Sequence, residues 1–79
     1  MTSKVLASFE NADRSHCVDI FVRADGSYGF EEFRAAADGD ARWQPLAKYS
    51  TLRFSSGDAA LRSAQTHVQW LDKSEVWRW

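Results

Sequence analysis

Residues 14–43 alternate apolar and polar side chains, and the dipeptide Asp-Gly interrupts the alternation twice, at Asp25-Gly26 and at Asp38-Gly39. Asp-Gly between such runs is a strong local signal for a β-hairpin, because both residues tolerate the positive φ angles of a tight turn. We therefore expect an antiparallel β-meander over this part of the chain.

Two strands are predicted before the first Asp-Gly. Residues 4–10 alternate so that Val5, Ala7 and Phe9 share one face. Residues 15–23 form the strongest strand candidate, and its two faces carry different apolar side chains. The β-branched face, which we expect to be inside, carries Val18, Ile20 and Val22, and the opposite face carries Cys17, Asp19, Phe21 and Arg23.

The turn at Asp25-Gly26 decides the register of this hairpin. A two-residue loop would leave Phe30 on the wrong face. A three-residue loop over 24–26, with Gly26 left-handed, pairs Val22 with Tyr28 and Ile20 with Phe30, which places the large apolar side chains on one side. We expect the three-residue loop.

The third strand is expected from Ser27 to about Ala36, with Phe33 either on the second face or turned inward by a bulge. A helix over residues 29–37 is an open alternative, since several of its apolar residues also fit a period of 3.6. Residues 41–44 are expected to form a fourth strand that Pro45 ends or marks as an edge.

One helix is predicted near the C-terminus, from Gly57 to about Leu71. Ser55 or Ser56 can act as its N-cap, and Asp58 suits the positive end of the helix dipole. Its apolar stripe consists of Leu61, Ala64, Val68 and Leu71. The expected fold class is α+β: a three- to four-stranded antiparallel β-meander with one C-terminal α-helix packed on one face.

Length and composition limit the other possibilities. A chain of 79 residues has room for one core, so residues 1–79 are expected to form a single domain with a Trp-containing tail at 72–79. Ten basic and eleven acidic side chains are interleaved without a basic block, which weighs against a nucleic-acid partner. No apolar run is long enough for a membrane span or a signal peptide, and we expect a cytoplasmic protein.

No arrangement of residues points to catalysis, a cofactor or a metal. His16 and Cys17 are neighbours in a strand and point to opposite faces, so they do not form a nucleophile and its base, and Cys17 is expected to be an inert structural thiol. Glu31 and Glu32 are expected on a solvated rim. The glycines match no phosphate-binding pattern, and the histidines and the cysteine lack metal-ligand spacing.

The C-terminal tryptophans are the most distinctive candidates for an interaction surface. Trp70, Trp77, Arg78 and Trp79 lie within ten positions, and Trp and Arg are enriched at interface hot spots. Either the tail folds back and its rings cover the end of the sheet, or it anchors a protein partner or a second copy of the chain. Phe21 belongs to a second candidate surface, because one helix covers only one face of the sheet.

The expected function is a small non-catalytic protein-interaction module or a homodimer. One alternative is a single-stranded nucleic-acid binder that stacks bases on Phe21, Tyr28 or Trp43. The other alternative is a small enzyme or metal protein. A small-molecule ligand is not indicated either way.

Residues 15–71 resemble small bacterial domains of unknown function that pair a β-meander with one C-terminal helix. The resemblance lies in the hairpin from Val18 to Phe30, in Trp43, and in the helical segment that Phe54-Ser55-Ser56 introduces. It implies the same fold and brings no catalytic residues.

Overall fold

The structure is a computed structural model that describes residues 3–35, 43–46 and 48–77. The described residues form four strands and one helix: β1 Ser3–Glu10, β2 His16–Arg23, β3 Tyr28–Ala35, β4 Trp43–Pro45 and α1 Gly57–His67. The strands make one antiparallel sheet in the order β1-β2-β3-β4, and α1 packs against β2 and β3. The α+β meander with one covering helix is therefore confirmed.

The hairpin between β2 and β3 has the predicted register. Ile20 pairs with Phe30 and Val22 with Tyr28. Gly26 has a φ of 87°, and its N–H donates to the carbonyl of Arg23 at 2.9 Å, which closes a three-residue loop. The prediction of a left-handed Gly26 is confirmed.

Three turns of the chain share the sequence Asp-x-Ser, at residues 13–15, 25–27 and 72–74. In each turn the aspartate Oδ1 accepts hydrogen bonds from both the N–H and the Oγ–H of the serine two positions later. At the hairpin turn these bonds, together with a smaller contribution from the ion pair with Arg53, lower the pKa of Asp25 to about 2. The three aspartates therefore stabilise these turns.

Residues 28–35 form a continuous strand, so the alternative of a helix there is wrong. The register passes through Glu31 and Glu32 without a bulge, and Phe33 lies opposite Cys17 on the face that α1 does not cover. The spacing of apolar residues cannot distinguish a helix from a strand over so short a segment. The cross-strand pairing with β2 decides between them.

The expectation for Val5 is also wrong. The register of β1 shifts between Val5 and Ala7, so Val5 lies opposite Phe21 while Ala7 lies opposite Ile20. A bulge adds one residue to one strand and reverses the faces beyond it. Ala7 and Phe9 therefore face the helix, and Val5 faces the other way.

The described part of the fourth strand is Trp43–Pro45. Trp43–Pro45 pairs with the end of β3, and Pro45 is the last residue of this edge strand, as the sequence indicated. The turn at Asp38-Gly39 and the start of the expected strand at 41–42 lie outside the described residues.

The helix begins as predicted and ends earlier. Ser56 is the N-cap, and its Oγ accepts from the N–H of Ala59 at 3.1 Å. The helix ends at His67 rather than near Leu71. Val68 and Leu71 are nevertheless buried, because a tight turn over 68–71 keeps both side chains against the sheet.

The hydrophobic core lies between the sheet and α1. It combines residues of β1, β2 and β3 with the apolar stripe of the helix and the turn that follows: Ala7, Val18, Ile20, Phe30, Ala60, Leu61, Ala64, Val68 and Leu71. The aromatic rings of Tyr49 and Phe54 pack on Phe30 from the connection between β4 and α1. One face of the sheet is thereby buried.

Candidate functional site

The second face of the sheet, which we call the open face, is covered by no helix or strand of the described residues. Its side chains follow from the register: pairs that lie opposite each other point to the same side. From one edge of the sheet to the other they include Val5, Ser8, Glu10, Cys17, Asp19, Phe21, Gly29, Glu31, Phe33, Trp43 and Pro45. Val5 and Trp43 are 52% and 37% exposed.

A groove of about 260 Å³ lies on the open face. Its described lining contains two carboxylates, two aromatic rings, one hydroxyl and one thiol: Glu10, Asp19, Phe33, Trp43, Ser8 and Cys17. These side chains come from all four strands. The groove is therefore a product of the meander and exists only when the sheet is complete.

The sheet register fixes the arrangement within the groove. Cys17 has Glu10 opposite on one side and Phe33 on the other. Asp19 is two positions further along β2, so its Cβ lies roughly 7–8 Å from that of Glu10 across the diagonal. The hydroxyl of Ser8 donates to Asp19 Oδ1 at 2.5 Å, which holds this carboxylate in one position.

Cys17 is 6% exposed, and burial raises the pKa of its thiol to about 11, with further contributions from Asp19, Glu10 and Glu32. The thiolate form that a nucleophile or a metal ligand requires is therefore suppressed at neutral pH. This agrees with the inert structural thiol predicted from the sequence.

Phe21, a predicted interaction residue, lies on the open face but beside the groove rather than in it. Its ring covers Gly29, where an added Cβ would come within 2.9 Å of the ring. The guanidinium of Arg23 lies 4.9 Å from the centre of the same ring. Arg23 also donates to the carbonyls of Ser50 and Leu52 at 2.6 and 3.1 Å, so this end of the face is tied to the connection before α1.

Trp70 lies on the opposite side of the sheet from Phe21. Its ring is half-buried against the core, and its indole Nε1–H donates to Glu32 Oε2 at 2.9 Å. The helix was expected to extend to about Leu71, but α1 ends at His67, so Trp70 lies in the turn that follows it. The structure thus places Trp70 beside β3 and not beside the open face.

Trp77 packs over the start of α1. A Cβ added at Gly57 would lie 2.1 Å from Cζ2 of the Trp77 ring, so the ring rests directly on the glycine. The side chain of Gln65 donates to the carbonyls of Asp72 and Glu75, which holds the segment before Trp77 against the helix. Arg78 and Trp79 lie outside the described residues.

The expectation that Glu31 and Glu32 form a solvated rim is wrong. They are 5% and 8% exposed, and they point to opposite faces of β3. Glu31 Oε1 accepts from the N–H of Tyr49 at 3.3 Å, while Glu32 accepts from Trp70. Both partners lie far along the chain, which is why the local acidic pair gave no signal of burial.

The sequence analysis therefore did not find the groove as a unit. The strand pattern placed Cys17, Asp19 and Phe21 on this face and left Phe33 open, but it did not bring Glu10 of β1 and Trp43 of β4 to the same groove. Once the hairpin register is known, parity places Cys17, Asp19 and Phe33 on one side. Glu10 and Trp43 join them only through the pairing of β1 and β4 with the hairpin.

Within residues 3–35, 43–46 and 48–77, no three His, Cys, Asp or Glu side chains are grouped closely enough to hold a metal ion. In the same part of the chain no helix is long and apolar enough to cross a membrane. Comparisons with family models, with curated proteins and with solved structures found no match.

Proposed function

We propose that this chain is a non-catalytic protein-interaction module whose binding surface is the open face of the sheet. The observation that carries the proposal is the groove there, which presents Phe33 and the exposed Trp43 beside polar side chains. Aromatic anchors beside a depression, surrounded by polar groups, are the usual composition of a protein interface centre.

The electrostatics of the open face favour a protein over a nucleic acid as the partner. Two carboxylates, Glu10 and Asp19, line its groove. Phosphates would meet negative charge at this surface, and phosphate contacts supply most of the affinity of nucleic-acid binders. Tyr28, one of the three aromatic residues considered for base stacking, pairs with Val22 on the side that α1 covers.

Photo-cross-linking in the cells from which the sequence comes tests the proposal, with the reactive side chain placed either on the open face or on α1. We would replace Phe33 by benzoylphenylalanine, which keeps an aromatic ring in the groove. The matched control carries the same group at Thr66, an exposed position on α1. We expect a cross-linked protein species from position 33 that the control at 66 does not give.

Equal cross-linking from both positions, or none from position 33, would refute the proposal. A cross-linked species of twice the chain mass, together with a dimer in sedimentation equilibrium, would identify the partner as a second copy. The same group at Trp79 tests the C-terminal tail, which is the other candidate surface predicted from the sequence.

A further inference from the structure

We propose that the groove on the open face binds the cationic side chain of an arginine in an extended segment of a partner protein. The inference deepens the proposed function and rests on it. It assigns a chemical class to the occupant, and the groove's own side chains provide each step of the argument.

The first step is charge. Two of the six described lining residues are carboxylates, Glu10 and Asp19, and the described lining contains no cationic side chain. Asp19 is held by Ser8 and so keeps one orientation toward the groove. A cation placed between the two carboxylates gains attraction from both, and the diagonal spacing lets one guanidinium reach toward each.

The second step is the aromatic lining. Phe33 and Trp43 present ring surfaces at the same depression, and Trp43 remains exposed. The face of an aromatic ring attracts cations, most strongly for Trp, and a planar guanidinium can stack on it while it donates to carboxylates. Arginine uses both kinds of contact at once, which favours it over lysine here.

The third step is size. A groove of about 260 Å³ is smaller than the roughly 300–1,000 Å³ that sites for small organic ligands occupy. It suits one long side chain rather than a cofactor.

The same charges argue against a second copy of the chain as the occupant. In a symmetric dimer the same patch would face itself. Glu10 and Asp19 would then approach their own copies across the interface, which raises the energy of the pair. The positive charge of a basic partner segment complements the two groove carboxylates, whereas the same carboxylates of a second copy would repel them.

A titration followed by NMR tests the inference on the full chain. The probe is a blocked pentapeptide of threonine and valine with one central arginine, and the matched probe carries citrulline, which has the same shape without the charge. We expect saturable shifts at the amides of Cys17 and Phe33 and at the indole N–H of Trp43. Citrulline should bind roughly tenfold more weakly, as the loss of one charge-assisted contact implies.

Variants separate the contributions. Asp19→Asn keeps an oxygen that can accept from Ser8 and should weaken arginine-peptide binding roughly tenfold, and Glu10→Gln should act in the same direction. Trp43→Leu should weaken it roughly two- to fivefold. The control Asp58→Asn removes an exposed carboxylate on α1 and should leave the affinity unchanged.

Equal affinity for the citrulline probe, no effect of Asp19→Asn, or no binding of either peptide would overturn the inference. Its failure can be told apart from failure of the proposed function by the cross-link from position 33. A cross-link that persists in Asp19→Asn would leave the open face as an interface with a different partner chemistry. If position 33 gives no cross-link in the chain that keeps Asp19, the open face is not an interface and the proposed function fails as well.

Discussion

The contact between Trp77 and Gly57 predicts a substitution whose effect changes sign with the background. An ideal Cβ at Gly57 would lie 2.1 Å from Cζ2 and 2.2 Å from Cε2 of the Trp77 ring. Carbon atoms in ordinary contact are roughly 3.5–4.0 Å apart, so in Gly57→Ala the ring must retreat by more than 1 Å. An indole is rigid and cannot bend away, and the whole side chain must move.

Two terms of opposite sign determine the magnitude. Overpacking at this contact destabilises the protein by roughly 1–3 kcal/mol. The loss cannot exceed the free energy that the half-buried Trp77 contributes by packing on α1, because the ring can move away instead. Replacing glycine by alanine in a helix gains roughly 0.4–1 kcal/mol, because the unfolded chain has less conformational freedom to lose. We therefore expect Gly57→Ala to destabilise the wild type by about 1–2 kcal/mol. In a Trp77→Ala background it should stabilise by about 0.5 kcal/mol.

Urea unfolding followed by far-UV circular dichroism measures both values without depending on the tryptophans that change. The unfolding slope of a chain this small is roughly 1 kcal/mol per molar urea, so the wild-type midpoint should fall by about 1 M or more. Thr66→Ala, an exposed substitution far along the helix, should give the same small change in both backgrounds. An equal effect of Gly57→Ala in both backgrounds would show that Trp77 does not rest on the glycine.

Three further outcomes follow from the described contacts. Trp70→Phe and Glu32→Met should show a coupling free energy of roughly 1–2 kcal/mol in a double-mutant cycle, because Trp70→Phe leaves the buried Glu32 carboxylate without its indole donor. If the two changes in the free energy of unfolding are strictly additive, the hydrogen bond between these side chains is absent. Ser56→Ala should lower the free energy of unfolding by about 1 kcal/mol, whereas Ser55→Ala should leave it nearly unchanged; the reverse order would assign the N-cap to the other serine. The pKa of the Cys17 thiol rises from 9.0 to about 11 on folding, so the unfolded state loses its proton first and stability should fall between pH 9 and 11. We expect a loss of roughly 1–2 kcal/mol in urea titrations across that range, and the same loss in Cys17→Ala would show that other groups cause it.

The register of the β2–β3 hairpin could be predicted from local sequence alone. Gly26 is the residue that can take a positive φ without strain, and with a three-residue loop the parity of Ile20 and Phe30 leaves one register that buries both. The start of the helix is local in the same way, because a serine before a short polar turn caps the first free N–H groups. These features needed no information from distant residues.

The candidate site could not be predicted from local sequence alone. Cys17, Asp19 and Phe33 share a face by parity alone, but the groove also requires Glu10 from β1 and Trp43 from β4. The bulge after Val5 shifts the register of β1 against β2, and no residue type in β1 indicates that a bulge occurs there. The position of a groove that four strands form together therefore depends on their relative alignment.

The sequence by itself determined the register of the β2–β3 hairpin, the start of the helix and the apolar stripe, because each depends on turn chemistry or on side-chain period within a few residues. Tertiary structure decided which charges are buried. Glu31 and Glu32 occupy interior positions only because Tyr49 and Trp70, brought from later in the chain, donate hydrogen bonds to them. A carboxylate is buried when its partners are present, and those partners are set by the fold rather than by its neighbours in sequence.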